Sequence, residues 1–209
     1  KRVALVSKHE AHLDAVAVDQ SLEQAGYDDL ATLVFHIFGI RLEEGIVSSW
    51  FADSQSRIRI WPPFDVPETD DEKALKELLG ETSVEAARDA LDMGLLINIF
   101  PEGTREGKTQ EMTKPIGATV NFFDEIGVDY ILPVAIDGTQ NILPRGKWPR
   151  CGSYDVTFCE PIDYHAVKDT HVDLGLQQFK REYRQAVMYD IMRPIADALP
   201  KYRRGYFNK

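Results

Sequence analysis

Short apolar runs of strand length alternate along this chain with stretches in which apolar residues return at helical spacing. Arg2 to Ser7, Ala31 to Phe38, Leu95 to Phe100 and Tyr130 to Ile136 are nearly continuous in apolar residues, as expected of strands covered on both faces, whereas Arg57 to Trp61 alternates apolar and polar and stops at Pro62 and Pro63. Tyr154 to Cys159 is a sixth strand candidate. Helical periods predict helices over Leu13 to Ala25, Val84 to Met93 and Gly117 to Ile126, each closed by a glycine at 26, 94 or 127. A long C-terminal helix is predicted from Asp173 to Leu199, bent or broken near Pro194. Such alternation predicts an α/β protein with a mixed, largely parallel sheet flanked by helices. Pro62 to Gly80, proline-rich and acidic at its start, reads as an insertion or mobile loop, either a lid or a surface connection.

Composition changes this picture little. With 209 residues, 44% hydrophobic and 28% charged, the chain has the make-up of one globular domain spanning 1–209. A net charge of −10 argues against general nucleic-acid binding. The charge is uneven, since residues 180–209 hold eight cations against three carboxylates, a net of +5. The closing KYRRGYFNK mixes Tyr202, Tyr206 and Phe207 with those cations, which suits an anionic lipid interface and equally suits a solvated helix end with a frayed tail. Cys151 and Cys159 form neither a disulfide scaffold nor a Cys-x-x-Cys metal pair, and are read as reduced thiols in a cytosolic setting. No run of about 18 apolar residues is present. The chain opens at Lys1 directly into an apolar run, which points to an upstream segment, a membrane anchor being one candidate for its content.

Two strings carry chemistry. HEAHLD, His9 to Asp14, follows the first strand and opens the first helix. On one straight helix the side chains of positions 9 and 14 would point about 140° apart, so they meet only if a turn intervenes. With that turn, Asp14 can hold one imidazole nitrogen while the other faces a substrate. Two other readings stay open: His9 as a capping or partly buried histidine with Asp14 a first-turn carboxylate, or His9, His12 and Asp14 as metal ligands of a hydrolase. FPEGTR, Phe100 to Arg105, ends the strand LLINIF, with Pro101 stopping the ladder and Gly103 permitting a sharp turn. That places Glu102, Thr104 and Arg105 at a strand's carboxyl end, where open α/β sheets bind ligands, and Arg105 offers a guanidinium fork suited to phosphate. A purely structural turn is the alternative.

A histidine and an aspartate with four residues between them (HX4D), followed downstream by FPEGTR, resemble the PlsC-like glycerolipid acyltransferase family, typified by lysophosphatidic acid (1-acylglycerol-3-phosphate) acyltransferase. ILPVAIDGT, Ile131 to Thr139, resembles the family's later proline-containing strand, and KPIG, Lys114 to Gly117, resembles the start of its following helix. The resemblance runs from Arg2 to about Pro161. It implies a PlsC-like fold and transfer of a fatty acyl group from acyl-CoA or an acyl carrier protein to a hydroxyl of a glycerol-phosphate-type acceptor, with no other cofactor and no metal. It implies His9 as general base, Asp14 as its partner, Glu102, Gly103, Thr104 and Arg105 as the glycerol-phosphate site, and Pro133 at the border of a substrate pocket. Arg57 or Arg59 in SRIRIW is the nearest counterpart of the family's second, arginine-bearing motif. The implied setting is peripheral to the cytoplasmic side of a membrane, with a lysophospholipid or glycerol-phosphate acceptor as partner.

Overall fold

The computed structural model describes residues 1–41, 53–103, 111–144, 148–173, 175, 178 and 180–208. Strand β1 (Val3–Ser7) leads through helix α1 (Asp14–Gln24) and the short α2 (Asp28–Ala31) to β2 (Val34–Gly39). Next come β3 (Arg57–Ile60), the long helix α3 (Asp70–Asp92), β4 (Leu96–Ile99), α4 (Thr119–Ile126) and β5 (Tyr130–Asp137). The short α5 (Thr139–Ile142), β6 (Asp155–Phe158), β7 (Ile162–Asp163), α6 (Tyr164–Asp173) and α7 (Lys180–Ala198) complete the series before two 3-10 turns, Lys201–Arg203 and Gly205–Phe207.

Among the described residues seven strands share one sheet in the order β3-β2-β4-β1-β5-β6, with β7 also paired to β5. The pairs from β3 across to β5 are parallel, while β6 and β7 run antiparallel to β5. The central strands β1 and β4 are covered on both faces, which is why their sequences show no alternation. Leu5, Val34, Val134 and Ile136 face α1, packing with Val18 and Leu22. Ala4, Val6, Ile37, Ile97 and Ile131 face the opposite layer, where α3, α4 and α7 contribute Ala87, Leu91, Phe123, Met188 and Ile191. Pro133 is accommodated inside β5 because its carbonyl accepts from Cys159 N at 2.9 Å. Its missing N–H thus falls on the side where pairing passes from β7 to β6.

Two sequence expectations are corrected. Asp70 to Gly80, assigned to the insertion or mobile loop, is the first half of α3. Thr69 caps this helix by accepting from Glu72 N at 3.2 Å, Glu72 accepts from Glu68 N at 2.6 Å, and three acidic residues fill the first turn. The helix predicted from Asp173 to Leu199 starts only at Lys180, as α7, because Asp173 is the last residue of α6 and the chain turns at Gly175, φ 72°. Beyond that break, α7 runs through Pro194 to Ala198.

Polar side chains also cross the sheet on its α1 face. Ser7 Oγ donates to Asn98 Oδ1 at 2.7 Å, Asn98 Nδ2 lies 3.0 Å from His36 Nδ1, and His36 Nε2 lies 3.1 Å from Asp19 Oδ1. Ser7, Asn98 and His36 are fully buried. Every link is satisfied if Nε2 carries the His36 proton.

Among the described residues no helix is long and apolar enough to cross a membrane.

Candidate functional site

Between β1 and α1 the chain turns over its own carboxylate. Asp14 Oδ2 accepts from Glu10 N at 2.6 Å and Ala11 N at 2.8 Å, which bends the HEAHLD segment back and brings His9 Nδ1 within 2.8 Å of the same oxygen. Asp14 Oδ1 accepts from Thr139 Oγ1 at 2.5 Å. Such a carboxylate can only accept, so His9 carries its proton on Nδ1 when neutral and leaves the Nε2 lone pair for a substrate. The Asp14 side chain is fully buried and that of His9 is 16% exposed. Phe100 packs against the imidazole, the ring centroids 4.5 Å apart.

The turns that follow the neighbouring strands β4 and β5 hold this one in place. After β4, Glu102 Oε2 accepts from His9 N at 3.0 Å and Oε1 from Thr113 N at 2.7 Å. After β5, Gly138 N donates to Glu10 Oε2 at 2.9 Å, and Glu10 Oε1 takes the Lys8 ammonium at 2.6 Å in a fully buried ion pair. Burial pushes the Glu102 carboxyl above the usual carboxylate range, opposed by the His9 and Thr113 N–H donors and by the Lys8 charge.

His9 opens onto a cavity of about 650 Å³ at the carboxyl ends of β1 to β4. Ile37, Ile60, Trp61, Leu79, Ile99 and Phe122 give it an apolar wall, and His12, Arg41 and Lys76 add polar ends. Arg41 is held by Asp65 at 2.6 Å and Glu72 at 2.8 Å, with its guanidinium 5.2 Å from the Trp61 ring centroid. From α3, Lys76, Leu79, Gly80, Ser83 and Val84 line it, and this helix buries no residue before Ser83.

The sequence-predicted residues divide clearly. His9, His12 and Gly103 line this cavity. Gly103 has φ 65°, a conformation that favours glycine, and a Cβ there would displace the tip of Ile116. Glu102 faces inward and is only 1% exposed, so it braces the backbone of His9 and does not line the cavity. Pro133 is buried opposite Val6 in the sheet, and Arg57 and Arg59 lie on the edge strand β3; none of the three lines the cavity. Thr104 and Arg105 lie outside the described residues. Among the described residues no three His, Cys, Asp or Glu side chains are grouped to hold a metal, and both Asp14 oxygens already serve protein donors. Sequence reasoning missed Lys8, Glu10, Thr113 and Thr139. Glu10 sits inside HEAHLD and Thr139 closes ILPVAIDGT, and their position just past parallel neighbouring strands is the available signal.

No known family model matches this chain, and no curated protein matches it. Among solved structures it is similar to the 1-acyl-sn-glycerophosphate (LPA) acyltransferase PlsC from Thermotoga maritima, at 19% sequence identity and a TM-score of 0.57. The similarity covers 94% of this chain, which spans 66% of the length of that protein. The fold is therefore the mixed, mostly parallel sheet with flanking helices found in that acyltransferase.

Proposed function

We propose that this protein is an acyltransferase that moves a fatty acyl group from acyl-CoA or an acyl carrier protein to a hydroxyl of a glycerol-phosphate-type acceptor, lysophosphatidic acid foremost. The observation that carries this reading is the His9–Asp14 pair opening onto a large apolar cavity at the carboxyl ends of the parallel strands. An exposed imidazole lone pair beside an apolar wall suits a reaction that joins a polar hydroxyl to a long acyl chain.

In the proposed mechanism His9 Nε2 takes the proton of the acceptor hydroxyl as its oxygen attacks the thioester carbonyl. The tetrahedral intermediate collapses to the new ester, and the imidazolium returns the proton to the departing thiolate. Asp14 stabilises that imidazolium and fixes its orientation. No acyl-enzyme is formed. Gly103, Thr104 and Arg105 would hold the acceptor's phosphate, acting mainly by positioning. Acyl-CoA or acyl carrier protein serves as co-substrate and no further cofactor is invoked. Glycerol 3-phosphate, another lysophospholipid or a glycolipid are the alternative acceptors, and the enzyme would work peripherally on the cytoplasmic face of a membrane. The second reading, a metal-dependent hydrolase on His9, His12 and Asp14, is disfavoured because the Asp14 oxygens are occupied by N–H and O–H donors.

Incubation with labelled acyl-CoA and a panel of glycerol-phosphate acceptors tests the proposal by the lipid formed. His9→Ala is expected to lower transfer by at least about 100-fold while thermal unfolding stays that of a folded protein. A folded variant that keeps most of its activity would overturn the assignment of the base.

A further inference from the structure

Two turns at the carboxyl end of the sheet, after β4 and β5, converge on the HEAHLD segment, and the one after β5 reaches the carboxylate itself. Thr139 is fully buried, and its hydroxyl lies between two acids, 2.5 Å from Asp14 Oδ1 and 3.2 Å from Glu10 Oε2. A hydroxyl has one proton to give, and the shorter contact takes it. Glu10 is served instead by the Lys8 ammonium and by Gly138 N. Each Asp14 oxygen therefore has its own donors, with the Glu10 and Ala11 N–H groups on Oδ2 beside His9 and the Thr139 hydroxyl on Oδ1 behind it. Among the described residues no other hydrogen bond reaches Oδ1, so without the hydroxyl the carboxyl plane is held from the Oδ2 side alone. That plane sets the approach of His9 Nδ1–H, and so which tautomer the imidazole adopts.

We propose that Thr139 is a positioning residue for the reaction. Its hydroxyl orients Asp14 so that His9 keeps its proton on Nδ1 and presents Nε2 to the cavity, an action that reaches substrate only through those two residues. The lysine–glutamate pair beside it holds the turn that delivers the hydroxyl, since Glu10 binds both Lys8 and Gly138. This inference rests on the acyltransferase reading for its kinetic consequence, but the tautomer of His9 does not.

The test compares Thr139→Val, which keeps the shape and removes the donor, with Thr139→Ser, which keeps the donor. Nitrogen NMR of histidine-labelled protein reads the tautomer of His9, whose signal is assigned by its disappearance in His9→Ala. Thr139→Val is expected to shift His9 from the Nδ1–H tautomer to a mixture and to lower kcat by about 10- to 100-fold with KM changed by less than about threefold. Thr139→Ser should restore both. A Thr139→Val protein with the wild-type tautomer and kcat overturns the proposal, as does a loss in Thr139→Ser equal to that in Thr139→Val. Should the valine variant not fold, Thr139→Cys, of similar size with only a weak donor, carries the same comparison. If the wild-type protein transfers no acyl group to any acceptor, the functional reading fails, and the tautomer shift still decides the role of Thr139.

Discussion

At the residue scale the His9–Asp14 pair depends on groups that do not line the cavity. Glu102 shows the cost of such bracing, because it keeps two backbone N–H groups satisfied while losing the solvation of its own charge. Its carboxyl titrates higher in the folded chain than in the unfolded one, whose value is near the ordinary glutamate figure of about 4.3. Folding then takes up a proton between the two values. The stability Glu102 contributes is whole below the unfolded value and is lost as pH rises through the folded one. Urea denaturation of wild type and Glu102→Gln at intervals from pH 4 to pH 7 should show the wild type losing ground against the variant as pH rises. A constant difference across the range contradicts the raised titration.

At the element scale, the polar crossing of β1, β4 and β2 asks more of the sheet than its apolar composition suggests. Asn98→Leu removes the acceptor for the Ser7 hydroxyl and the donor to His36, leaving both buried without their present partner. The expected loss is about 2 kcal/mol or more, read from chemical denaturation, and a loss below about 0.5 kcal/mol would mean that the crossing is re-satisfied by other groups. Six of the seven described strands were legible, most as apolar runs and β3 by its alternation, as was the glycine behind each of three helices; the two-residue β7 was not, being too short to carry a pattern. The first half of α3 was not, because Pro62, Pro63 and a cluster of acids share the composition of loops, although Thr69 and Glu72 stand at capping-box spacing. In the site, His9 and Asp14 could be paired from the sequence because the turn between them is local. The inward direction of Glu102 could not, since it depends on β1 and β4 lying side by side, a neighbourhood fixed only by the whole sheet.

At the scale of the whole molecule the basic C-terminal end is docked, unlike the frayed tail that its composition also allowed. Phe207 is 1% exposed and Arg203 is 5% exposed, with Arg203 Nε 3.0 Å from Asp137 Oδ1. Met112 N donates to Arg203 O at 2.9 Å and Met112 O accepts from Tyr206 N at 3.0 Å. The next residue, Thr113, is one that Glu102 holds, so the last turns of the chain are joined through a short path to the backbone of His9. Gly205 closes this joint at φ 43°, where a Cβ would fall 2.3 Å from Met112 O. Gly205→Ala is expected to cost about 2 kcal/mol or more in thermal or chemical unfolding, and the proposed acyl transfer should weaken with it. Unchanged stability would show that the terminal turns contribute little to the fold.

One wall of the cavity remains unusual. The first three turns of α3 supply Lys76, Leu79 and Gly80 to the lining and bury no side chain fully, so much of what they could pack against is whatever occupies the cavity. An acyl chain lodged there would give Leu79 and its neighbours the apolar company that the protein withholds. The guest would then complete the architecture, and each departing product would leave its host a little less finished than it had been.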